Sequence, residues 1–226
     1  MSSGEDRTVA EVGKRMADRT GLLSAPNRNR FGPAVIQPDE LRRLSSDSVV
    51  IRLHYTINHL SRWLTPVHDA TKLTRATRRG EPSVKDLLIQ LRDEELRTFP
   101  KMYLVSVRTN PDLDQLPIFT RTSVQLEQDV RHSPLTVMAE FRRLRQSTVS
   151  LLRNLPNDAW SRSGISRREH DWTLRGLAEH LLSHDYNILA QIDEALDRTG
   201  AREGLASAQR VHLSELLQLN PSETRN

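Results

Sequence analysis

His180 and His184 stand four residues apart in "LAEHLLSHDYN", a stretch that reads as the interior of a helix. Positions i and i+4 of an α-helix lie about 40° apart around the axis and about 6 Å apart along it. Two imidazoles so placed can converge on one ion. The spacing of Leu177, Leu181 and Ile188 puts His184 on the apolar seam and His180 on its edge. A second reading stays open at this point: two partly buried histidines, each hydrogen-bonded, with no ion. A working metal site needs a third protein ligand and an open position for water or substrate. That ligand would have to come from another helix.

Composition narrows the other chemistry. The chain of 226 residues has no cysteine, which removes disulfides, a thiolate nucleophile and thiolate metal sites. Any thiol would have to arrive on a small molecule. There is no Gly-rich phosphate loop, no G-x-S-x-G and no H-E-x-x-H. Net charge is +4, and lysine occurs only at 14, 72, 85 and 101, so arginine supplies most of the positive charge. The arginines are interleaved with acids, as in "RRGEPSVKDLLIQLRDEELR", which reads as solvated helix faces and points away from nucleic acid. No run approaches the roughly 18 apolar residues of a membrane span, and "MSSGEDRTVAEVGKRM" lacks the apolar core of a signal peptide. The expectation is a cytoplasmic protein with no membrane association.

Four amphipathic segments must position the histidines. The first runs from about Asp47 to Leu73, with a seam of Val50, Leu53, Ile57, Leu60, Leu64 and Val67 and a break or kink near Pro66. The second runs from about Val84 to Val107, opened by Ser83 as N-cap with Asp86 three residues on. The third starts at Ser133 and Pro134 and ends before Pro156. The fourth runs from about Thr173 to Arg198, with Gly200 just past its end. No strand pattern or internal repeat stands out. The predicted architecture is an all-α four-helix bundle over 39–200. An N-terminal arm precedes it over 1–38, partly irregular, and a short helix and tail follow over 201–226. Residues 108–132 form a long polar connection between the second and third helices.

At these segments the chain resembles the DinB superfamily, four-helix-bundle proteins related to the bacterial thiol-transferase and mycothiol-dependent isomerase groups. The fourth segment, "DWTLRGLAEHLLSHDYNILAQIDEAL", is similar to that family's last bundle helix at Trp172, Thr173, His180, His184, Asp185, Gln191 and Ile192. "SVKDLLIQLRDEE" is similar to its second helix, and "FRRLRQSTVSLLRNLPNDAWSRSG" to its third. The resemblance runs from about Val49 to Arg198 and implies a DinB-like bundle with a divalent metal such as zinc or nickel. It implies a third ligand on the second helix, a histidine in the family and Gln90 here.

Glutamine is a weak neutral oxygen ligand. Glu94, one turn further along the same face, would complete a set of two histidines and one carboxylate. Glu95, His54 and His59 are further candidates. Asp185 either orients a ligand or pairs with an arginine at the surface, and Trp160 and Trp172 are expected as core plugs or a pocket rim. Two functions follow from the resemblance. One is a metal-dependent thiol-transferase or hydrolase with His180, His184, Gln90 and Glu94 around the ion, acting on a small-molecule substrate and drawing on a small-molecule thiol. The other is a non-catalytic binding or interaction protein that has lost the metal site. A third reading is a basic interaction protein working through its arginine faces and the arm. Bundles of this kind often pair, so a homodimer is compatible with all three.

Overall fold

The computed structural model describes residues 36–203. The expected N-terminal arm lies almost entirely outside the described residues, and the expected helix over 205–219 lies wholly outside them.

Local signals place the helix ends. Pro38 opens a short helix α1, Pro38–Arg43. Helix α2, Ser46–Leu64, starts where the Ser45 hydroxyl accepts from the Ser48 N–H at 3.1 Å. It buries Val49, Val50, Leu53, Ile57, Leu60 and Leu64, a seam at three- and four-residue steps. It stops nine residues earlier than the pattern suggests. Pro66 cannot extend the hydrogen-bond ladder, and the chain resumes helix only as the single turn α3, Thr71–Thr74, which buries Leu73.

Helix α4, Val84–Val107, begins with the predicted reciprocal cap. The Ser83 hydroxyl accepts from Asp86 N–H at 3.2 Å and the Asp86 carboxylate from Ser83 N–H at 2.9 Å. Helix α5, Ser123–Arg131, lies in the long connection, after a 3₁₀ turn at Leu113–Gln115. Helix α6, Pro134–Arg153, has the expected cap at Ser133, and helix α7, Leu174–Arg198, is capped by Thr173, the residue expected to open it. Gly200 takes φ +63° just beyond α7, a conformation that costs a side-chain-bearing residue more.

The four long helices make the bundle. Helix α4 packs on α6 and α7, and α2 packs on the same two. Helix α2 therefore sits diagonally from α4, and α6 from α7. Diagonal steps need long connections, and the two diagonal ones, α2 to α4 and α6 to α7, span 19 and 20 residues. One small antiparallel pair, Ser163–Gly164 (β1) with Trp172–Thr173 (β2), was not foreseen and precedes α7. Gly164 is required there, because a Cβ would come within 2.8 Å of Leu113 and 2.9 Å of Val105.

The interior is layered. One apolar cluster holds Ile57, Leu60, Leu88, Phe141, Ile188 and Ile192, and another holds Leu53, Met102, Val149, Leu174, Leu177 and Leu181. Between them runs a polar layer with one residue or more from each long helix. Arg145 of α6 lies fully buried between Glu95 of α4 and Asp185 of α7, ion-paired to both. Thr56 of α2 donates to Asp185 at 2.7 Å, Thr148 donates to Glu95 at 2.5 Å, and Arg145 also donates to the Leu53 carbonyl at 3.1 Å. Buried charges persist only when paired and hydrogen-bonded in this way.

Candidate functional site

The face of α4 next to this layer carries Glu94, Arg97, Thr98 and Lys101, spaced so that they share one side of a helix. With Glu169, Trp172, Leu177 and His180 they line a cleft of about 220 Å³. The short β pair brings Trp172 to the rim, and α7 brings His180. An aromatic wall results, His170 over Trp172 at 4.0 Å and Trp172 edge-on to His180 at 5.4 Å.

Glu94 is the centre of the cleft. His180 Nε2 stands 2.8 Å from its Oε1, and the Thr98 hydroxyl donates to the same oxygen at 3.2 Å. Arg97 pairs with its Oε2. Burial alone would raise the Glu94 pKa. The His180 hydrogen bond and the nearby Arg97, His180 and His184 outweigh that penalty and bring it down to about 2. An ionised carboxylate only accepts, so the proton of this pair sits on His180 Nε2. A second acid–base pair closes the rim. Lys101 Nζ meets both oxygens of Glu169 at 2.6 and 2.8 Å, and Trp172 Nε1 donates to Glu169 at 2.8 Å. These bonds hold the Glu169 carboxyl below its ordinary range despite partial burial.

The predicted metal set divides under this geometry. Glu94 and His180 are brought together. Gln90 is exposed, makes no hydrogen bond to either, and does not line the cleft. His184 is half-buried, and its Nδ1 is buried with no hydrogen-bond partner. Burial lowers the His184 pKa, only partly offset by Asp185 and Glu94. His59 packs against Trp63 on α2, centroids 5.5 Å apart, and His54 lies on the same helix; neither lines the cleft. Among the described residues no group of three or more His, Cys, Asp or Glu is spaced to hold a metal ion.

Two expectations about acids need correction. Asp185 is not a surface residue. It is fully buried and does pair with an arginine, Arg145. The acids of "RDEELR" are not solvated: Asp93, Glu94 and Glu95 are all buried. Each has a cation within reach, Asp93 through Arg92 and Arg121, Glu94 through Arg97 and Glu95 through Arg145. Trp160 is a core plug and Trp172 a pocket rim, as expected. Sequence reasoning missed Arg97 and Lys101, although their spacing from Glu94 at three and seven residues was readable. It also missed Glu169, which sits in an irregular loop with no periodic signal.

Among solved structures the chain is similar in fold to YfiT from Bacillus subtilis, at 18% sequence identity and a TM-score of 0.57, over 76% of this chain and 94% of YfiT. YfiT is described as a probable metal-dependent hydrolase with an unusual four-helix bundle topology. No protein-family model matches, and no curated protein matches significantly. At that identity the likeness concerns the fold alone.

Proposed function

We propose that this chain is a DinB-like bundle whose cleft binds a small charged molecule without a resident metal ion and without metal-assisted catalysis. One observation carries the reading: the Glu94 carboxylate is already fully engaged, by His180 and Thr98 on one oxygen and by Arg97 on the other. A dication at this place would have to displace the proton-bearing His180 Nε2. It would also sit beside the positive charges of Arg97 and Lys101, which line the same cleft. The family-type donor Gln90 faces solvent instead. The donor set does not fit a bound ion as it stands.

The cleft suits recognition. Leu177 and Trp172 offer an apolar and aromatic wall, and fixed charges of both signs ring it. Elemental analysis of the full chain, purified without an affinity tag, tests the reading. We expect no stoichiometric zinc or nickel. One equivalent of either metal per chain would overturn it.

A metal-dependent hydrolase or thiol-transferase is the second reading, and the buried, unpartnered His184 Nδ1 favours it. In that case His180, His184 and Glu94 would hold the ion. The description given to YfiT lends it support, and a thiol substrate would come from outside a chain that has no cysteine. Metal content that falls in both His184→Ala and Glu94→Ala would establish it in place of the first.

A further inference from the structure

The cleft over Glu94 and His180 has a neighbour. The second recess holds about 270 Å³, and Arg97, Lys101 and Glu169 line both. Neither alone reaches the roughly 300 Å³ at the lower end of small-ligand sites, but the two adjoin at those three side chains, and a ligand that spans both has room enough. The second recess is largely apolar, with Leu96, Pro100, Leu113, Leu116, Ile118 and Phe119 around it.

Its far wall is preformed. Leu113 N–H donates to the Ile165 carbonyl at 2.8 Å and Ile165 N–H to the Pro111 carbonyl at 2.9 Å. The Asp114 carboxylate accepts from the Ser166 hydroxyl at 2.8 Å and from Arg167 N–H at 2.9 Å. Ile118 beside it is 71% exposed, an apolar side chain that a ligand's tail would cover.

The charged groups on the shared wall are not equally free. Lys101 is committed to Glu169, and Glu169 also accepts from Trp172. Glu94, which lines the first cleft only, has both oxygens taken. Arg97 differs: its side chain is 47% exposed, it gives one amino group to Glu94, and it lies over the Phe119 ring at 5.9 Å. The rest of its guanidinium has no hydrogen-bond partner among the described residues. A guanidinium has five N–H donors in a planar fork that matches a carboxylate. The open valence at the junction is therefore for an anion, and the space beyond it is for hydrocarbon.

We propose that the joined recesses bind an amphipathic carboxylate, its head on Arg97 and its apolar tail along the 113–119 segment. This rests on reading the cleft as a metal-free ligand site. Calorimetric titration of the full chain with octanoate, octanol and acetate tests it. Octanoate is expected to bind below about 1 mM, with acetate and octanol each weaker by about 10-fold or more. Arg97→Gln is expected to weaken octanoate about 10-fold and leave octanol unchanged. Ile118→Asp is expected to weaken both. Both side chains are exposed, and an unchanged melting temperature verifies that the variants fold.

Equal binding of octanol and octanoate, or octanoate binding untouched by Arg97→Gln, overturns the inference. A zinc titration on the same preparation separates it from the reading beneath it. No octanoate binding and no zinc binding overturns the amphipathic ligand alone. One equivalent of bound zinc overturns the metal-free reading itself.

Discussion

Glu94 and Glu95 are neighbours in sequence, as are His184 and Asp185, yet each pair is divided between two environments. Glu95 and Asp185 face the bundle axis and close on Arg145 with no solvent access. Glu94 instead lines the cleft, where its partner His180 keeps 42% of its side chain exposed, and His184 keeps a buried nitrogen without a hydrogen-bond partner. The inner layer is saturated and holds four helices together. The outer cleft leaves donors open on the half-exposed Arg97, and spare valence is what a ligand needs. A one-residue step along a helix, about 100° around the axis, separates the two roles.

The comparison breaks most visibly at Arg145. Arg145→Met leaves two buried carboxylates without a cation and is expected to cost about 3–5 kcal/mol in urea denaturation. Arg97→Gln, in the cleft, is expected to cost less than about 1 kcal/mol, because the Arg97 side chain is itself 47% exposed and its pairing is screened by solvent. Similar losses for the two would erase the distinction. A triple variant, Arg145→Met with Glu95→Leu and Asp185→Leu, sharpens it. Removing the whole set is expected to recover most of the loss, since the penalty belongs to the unpaired charges rather than to the missing bonds.

A smaller effect is expected at Glu94. Its folded-state pKa is down at about 2 against an ordinary 4.5. The stability this gives is complete above pH 4.5 and is lost as pH falls toward 2. Glu94→Gln is expected to cost about 1–2 kcal/mol at pH 7, allowing for solvent screening on the open side, and to flatten that part of the pH–stability curve. His184 gives the smallest effect and the same sign. Its pKa is held below the ordinary 6.5 by burial, so stability is whole above pH 6.5 and declines as pH falls through the depressed value. His184→Ala should remove the onset of that decline between neutrality and pH 5, read by thermal melts across pH.

Much of the fold was legible. Caps at Ser83 and Ser133 and the seams of α2, α4, α6 and α7 follow from residue type and a 3.6-residue period. The end of α2 was overrun because apolar spacing continues through Val67 and Leu73, while Pro66 breaks the backbone ladder beneath it. The polar layer was also in the sequence, but it contradicts the rule used to read it. Asp185 falls between Leu181 and Ile188, Arg145 between Phe141 and Thr148, and Glu95 after Leu91, each on a buried row. A charged residue on such a row reads locally as an interruption. Only the coincidence of two acids and one base on three different helices makes it a layer, and that is a tertiary fact. The cleft was half-legible for the same reason. Spacing brought His180 and His184 to one helix, but which partner His180 meets depends on how α4 and α7 are rotated. Gln90, one turn before Glu94, is exposed, while Glu94 is buried.

The central claim is that Glu94 and His180 serve each other and Arg97, with no ion between them. Calorimetric titration of zinc into the full, untagged chain, pre-treated with chelator and desalted, tests this most directly. No saturable binding at micromolar zinc is expected, and the melting temperature is expected to be indifferent to the metal. One zinc per chain, bound at micromolar concentration or tighter and abolished by both His184→Ala and Glu94→Gln, would contradict it.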